Sequence, residues 1–191
     1  MKKSESIDFI SEIRIFVENE FRKETCKYGY DLFFFHFMPV ASCAEKLALE
    51  LGGDREVIVI AAWLHDIGSV VCGRKRHHVS GAEIASKKLK ELGYPPAKTE
   101  LVKRCILNHR GSRRNCRESL EEKIVAEADI LSNFEDITTV FKTAFVYKNL
   151  CQKDARDFVR KKLESKWKQL QFSDSKNVAR VKYKAMIGSL G

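Results

Sequence analysis

His65 and Asp66 stand side by side at the end of an apolar run, Ile58 to Leu64, and Ile67 and Gly68 follow at once. Imidazole and carboxylate are costly to hold against such a run unless something offsets their desolvation, and a bound cation is the most economical offset. The bland alternative is a histidine bonded to backbone beside an aspartate that caps the next helix. Two further residues bear on the choice. His36 precedes Val40 by four and so continues an inward stripe, although it also reads as a core-edge histidine among Phe34, Phe35 and Phe37. Asp129 follows Val125 by four on another inward stripe, where the alternative is an exposed acid at the stripe's edge, as Glu127 is read. Together these four groups offer imidazole nitrogen and carboxylate oxygen, ligands that suit Mn, Fe, Ni, Co, Zn or Mg with water in the open positions. Open positions are what separate a catalytic metal from a structural one.

The elements that must carry these groups read as helices. Ile7, Ile10, Ile13, Val17 and Phe21 recur at intervals of three and four, which describes an amphipathic helix interrupted by Tyr28, Gly29 and Tyr30. A second helix starts near Pro39, with Val40, Ala44, Leu47, Ala48 and Leu51 inward and Gly52 and Gly53 at its end. The segment from Asp54 to His65 contains Val57 to Ile60, which by composition would also suit a buried strand. Its length and the continuation through Ala61, Ala62, Trp63 and Leu64 favour a central helix, apolar all round because others surround it. A basic loop, Arg74 to Arg76, leads to His77 and His78 and a helix closed by Gly93. After Pro95 and Pro96, Leu101, Val102, Cys105 and Ile106 form a face that His109 extends, and Arg110 to Arg117 reads as a polar loop. Ser119 and Glu122 have capping-box spacing and open the helix that carries Asp129, Ser132 and Asn133. Two or three further helices fill Phe134 to Gly191, with Phe141, Phe145, Phe158 and Trp167 as expected core contacts. Strand signals are nearly absent, so the expected fold class is all-α.

A chain of 191 residues, 44% apolar, can bury one sizeable core, and its length favours a single domain over 1–191. Lys2 and Lys3 are followed by acidic and polar residues rather than the apolar stretch of a signal peptide. No apolar segment approaches the roughly 18 residues of a membrane span, so no membrane partner is expected. Six cysteines without a CxxC pair read as reduced thiols in a cytoplasm. Of the net charge of +9, Cys151 to Gly191 supplies +7, from eleven Lys or Arg against four Asp or Glu. The basic character thus belongs to a C-terminal extension over about 151–191, for which a solvated helix face is a commoner explanation than nucleic-acid binding.

The ordered set resembles the HD superfamily of metal-dependent phosphohydrolases, whose pattern is H, then HD, then D on a helical bundle. The resemblance rests on His36 with Val40 and Ala44, on the block Ala61 to Gly68, on Ala128-Asp129, and on the histidine-led helix His77 to Ala85. It covers about residues 30–135 and implies an HD-domain helical bundle with additional C-terminal helices. It also implies one divalent ion on His36, His65, Asp66 and Asp129. Some members hold a second ion, and His77 and His109 stand where its histidines would be, with His78 as an alternative to His77. Subfamilies active on cyclic dinucleotides pair the second of these histidines with another and carry a Gly-Tyr-Pro signature. Here Arg110 follows His109, so the two histidines either bind a second metal or act on the substrate's phosphate or leaving group. The implied activity is hydrolysis of a phosphate ester or nucleotide by metal-activated water, with Asp66, His77 and His109 catalytic. Lys75 and Arg110 are the expected substrate contacts. A nucleotide-sensing or nucleic-acid-binding module and a di-iron oxygenase on the same scaffold are the alternatives.

Overall fold

The amphipathic stretches fold as helices in the computed structural model, which describes residues 7–26 and 28–191 and shows no strand among them. Lys2 and Lys3 lie outside the described residues. Helix α1 (Phe9–Arg22) begins where Asp8 accepts the Ser11 amide, and it turns Ile13, Val17 and Phe21 inward. Ile7, which spacing places on that stripe, precedes the helix and is exposed.

A single π-helical turn, Phe33–Phe37, leads directly into α2 (Met38–Leu51), with Pro39 in the first turn where its missing N–H costs nothing. His36 therefore sits in the π turn and not at the start of α2. Asp54 caps α3 (Arg55–Leu64) by accepting the Val57 amide. Every residue of α3 from Val57 to Leu64 is buried, because α1, α2, α6 and α7 close around it. That enclosure settles the strand-or-helix ambiguity of Val57 to Ile60.

His65 and Asp66 form the break between α3 and α4 (Ile67–Cys72). Helix α4 is pressed against α5 (His77–Glu91) at Gly68, where an added Cβ would run into the His77 carbonyl and lie 2.5 Å from the Gly81 amide nitrogen. The loop between them enters α5 through Arg76, which adopts a left-handed φ of 55°. Helix α6 (Pro96–Asn108) ends at His109, and Gly111–Cys116 forms a 3₁₀ turn in place of the expected loop. Helix α7 (Leu120–Glu135) starts with the full capping box of Ser119 and Glu122.

The remaining chain forms α8 (Thr138–Lys142), a second π turn at Thr143–Tyr147, α9 (Gln152–Gln169) and α10 (Ser173–Ser189). Two apolar clusters meet along α7. Its first half, with Ile124, Val125 and Ala128, packs on α1 to α6, and its second half, with Ile130 and Phe134, packs on Val159 and Leu163 of α9 and Ala179 of α10. Phe141, Phe158 and Trp167 are partly buried against the second cluster, and Trp167 stacks on Tyr183 at 4.4 Å. Phe145, an expected core contact, is 43% exposed, because the π turn directs it outward over Phe141.

Candidate metal centre

Five elements deliver six side chains to one place. The π turn brings His36, the α3–α4 break brings His65 and Asp66, the N-terminus of α5 brings His77, the end of α6 brings His109, and α7 brings Asp129. Breaks and ends dominate because a side chain on a continuous helix must share its face with the core, whereas a terminus can aim one group alone. Asp66 occupies the cap position of α4 yet makes no capping bond to backbone. The bland reading of that residue therefore fails: its carboxylate turns to the histidines.

Each of these four histidines is held through Nδ1, which turns Nε2 toward the other groups. Nδ1 of His65 donates to the Ala62 carbonyl at 2.8 Å, that of His77 to the Arg74 carbonyl at 2.9 Å, and that of His109 to the Ile106 carbonyl at 2.6 Å. A carbonyl only accepts, so these contacts fix the proton on Nδ1. Ser132 Oγ donates to the Asp129 carbonyl at 2.9 Å and so accepts from Nδ1 of His36 at 3.3 Å. Nε2 of His36 then faces Nε2 of His65 at 3.2 Å. Burial, then the neighbouring His65, lowers the His36 imidazole to about 4, and burial also lowers His65. Two neutral rings thus turn lone pairs toward each other, which is repulsive until a cation lies between them.

Asp66 joins two such groups. Its Oδ2 lies 3.9 Å from His65 Nε2, while its Oδ1 lies 3.0 Å from His77 Nε2 and 3.6 Å from His109 Nε2. Ligating atoms of His36, His65 and Asp66 fall within 4.8 Å of one another, as do those of Asp66, His77 and His109. Burial pushes the Asp66 carboxyl up, but the surrounding His109, His77 and His65 outweigh it and hold the group well below the usual range. His77 is lowered by burial and raised more by Asp66, so without a cation it tends to the imidazolium paired with that carboxylate. Ligation would displace this proton. Asp129 Oδ1 lies 3.8 Å from His36 Nε2 and 4.0 Å from His65 Nε2. The donor set fits one divalent ion on His36, His65, Asp66 and Asp129 and a second on Asp66, His77 and His109.

A cavity of about 250 Å³ opens onto these groups. Arg110 lines it, as does Arg74, whereas Lys75 is exposed and does not. Lys75 thus does not line the cavity, whereas Arg74, one residue before it, does: side-chain direction in an irregular loop follows backbone torsions that spacing does not encode. His77 is at the centre, and His78 sits outside it, 3.3 Å from an Arg110 nitrogen.

Two lysines absent from the sequence reading also line the cavity, Lys162 and Lys166 of α9. Lys166 Nζ pairs with Asp129 Oδ2 at 2.8 Å. This lysine, with His65 and His36, holds the Asp129 carboxyl low against a burial that raises it. The available signal was their spacing, since both interleave with the inward residues Val159 and Leu163. Arg117 is buried and donates to the carbonyls of Asn108, His109 and Arg110, which closes the end of α6 and fixes where His109 points. Glu127 is fully buried rather than exposed. It accepts the Gln171 and Phe172 amides and ties the α9–α10 link to α7, a backbone demand invisible in the stripe pattern.

The family model of the HD domain matches residues 33–133, a span that contains all six converging residues. An HD-superfamily hydrolase from Bacillus thuringiensis of known structure aligns with a TM-score of 0.71 at 21% identity, over 95% of this chain and 92% of that one. A Listeria innocua protein aligns with a TM-score of 0.71 at 19% identity, over 95% and 91%. A predicted HD superfamily hydrolase from an uncultured Thermotogales bacterium gives 0.59 at 23%, over 95% and 92%. These likenesses speak for the fold. An uncharacterised protein of Clostridium beijerinckii is 35% identical over 92 residues, which are 46% of this chain and 56% of that protein. The match thus spans little more than half of that relative's length.

Proposed function

The chain belongs to the HD domain family, and from that premise we propose that it is a metal-dependent phosphohydrolase acting on a small phosphorylated substrate, a phosphate ester or nucleotide. The observation that carries this reading is the carboxylate of Asp66, with one oxygen toward His65 and the other between His77 and His109. Divalent ions there would acidify a water and stabilise charge developing on phosphoryl oxygens.

The chain's own groups do the rest. His36, His65, Asp66 and Asp129 would hold the first ion, and Asp66, His77 and His109 the second, a role for the latter two histidines that their approach to one Asp66 oxygen supports. Asp66 also stands where it can orient the attacking water. Arg110 and Arg74 line the cavity beside these groups and add positive charge that draws in an anionic substrate. Neither the nucleotide-sensing nor the oxygenase alternative draws a separate observation from the site.

The test is release of phosphate or pyrophosphate from a panel of nucleotides and phosphate esters by protein supplied with Mn, Co, Ni, Zn or Mg. Asp66→Ala is expected to stay folded and to lose at least about a thousandfold in rate. Full activity in that variant would overturn the proposal.

A further inference from the structure

The basic extension does not give all its charge to solvent. Helix α9 turns Lys162 and Lys166, four residues apart, toward the cavity. Lys166 is neutralised by Asp129. Lys162 is only partly exposed and, among the described residues, forms no ion pair. Burial and then Lys166 push its ammonium down to about 8, Asp129 draws it up, and Arg74 opposes it. Lys162 and Arg74 both line the cavity. Arg74 also lacks a carboxylate partner among the described residues, and Arg110 meets only the His78 ring.

Holding Lys162 partly out of water with no counter-ion is unfavourable, and the exposed Arg74 and Arg110 add two like charges at the same cavity, which an anion there would offset. The carboxylates lining that cavity, Asp66 and Asp129, are already engaged by the histidines and Lys166. Two divalent ions would exceed the charge of those carboxylates and leave enough positive charge for the phosphate undergoing hydrolysis. The three side chains come in addition, and they call for anionic charge of their own.

We propose that Arg74, Arg110 and Lys162 form a second anion subsite beside the metal centre, so that the substrate carries at least two phosphate groups, one at the metals and one on these side chains. The first of those positions rests on the phosphohydrolase reading. The subsite binds and orients; no bond is made or broken there. It also gives α9 a direct part in substrate choice.

The experiment uses the full chain loaded with Mn²⁺ and two probes that cannot be hydrolysed, methylphosphonate and methylenediphosphonate, with affinities measured by calorimetry. The wild type is expected to prefer the diphosphonate by about thirtyfold, a preference reduced to below about fivefold in Lys162→Met. Methylphosphonate affinity and metal content should stay unchanged in that variant. Should Lys162→Met fail to fold, Arg74→Gln and Arg110→Gln change exposed side chains and must reduce the preference in the same way. Metal-loaded protein that binds methylphosphonate but shows no preference, or keeps it in the variants, would overturn the subsite alone. Protein that takes up no metal and binds neither probe would overturn the phosphohydrolase reading and the subsite with it.

Discussion

Nε2 of His36 and Nε2 of His65 lie 3.2 Å apart with both Nδ1 atoms already committed to acceptors. The acceptor for His36 is Ser132, whose own proton goes to the Asp129 carbonyl, so one hydroxyl sets the tautomer of one ligand and braces the helix turn of another. Ser132→Ala removes that control without touching a ligand. Its affinity for Mn²⁺ at the His36 site is expected to fall about tenfold in competition with a chromophoric chelator, with thermal stability little changed. An unchanged affinity would show that Ser132 plays no part. At this scale the sequence was legible where order and spacing constrain chemistry: His36, the His65-Asp66 pair and Asp129 converge from three separate stripes. His77 and His109 were legible as neighbours of the site, with metal binding and action on the substrate both open, because the share each takes of Asp66 depends on which oxygen faces it. Lys166 and Lys162 were not legible, since a lysine between apolar residues on an amphipathic helix reads as solvated until the opposing carboxylate is known.

Gly68 shows how elements impose geometry on the site. Its missing side chain lets α4 lie against the first turn of α5, and that turn carries His77. Backbone atoms form part of the obstacle, so repacking of flexible side chains cannot relieve it. Gly68→Ala is expected to cost about 3 kcal/mol in urea denaturation and to weaken metal binding by moving His77. A cost below about 1 kcal/mol would mean that α4 and α5 separate freely. Helices were the readable elements: the Asp54 cap, the Ser119 and Glu122 capping box and the apolar periodicities all mark real termini. The two π turns were not readable. Both widen a helix by a hydrogen-bond shift that leaves composition unchanged, yet one of them places His36 and the other Thr143 and Tyr147 at the cavity. The Gly111–Cys116 turn was likewise hidden, because its arginines signal polarity while the buried Arg117 beside it does the structural work.

At the scale of the whole molecule, the C-terminal extension is built into the site. Helices α9 and α10 share an apolar cluster with Ile130 and Phe134 of α7, and Glu127 anchors the link between them. A chain ending at Leu150 is expected to expose that cluster, bind a hydrophobic dye and lose cooperative unfolding; a stable, dye-silent fragment would contradict the shared core. Charge counting located the basic segment correctly but could not tell which of its lysines turn inward, because that depends on the rotation of α9 against α7. In the proposed reading Asp66 joins two metal positions, one of four donors and one of three. Titration of the chelator-stripped full chain with Mn²⁺, followed by calorimetry, tests it most directly. Two ions per chain are expected, one for each position, with loss of the paired stoichiometry in Asp66→Ala. No binding by the wild type, or the same two ions bound by Asp66→Ala, would contradict it.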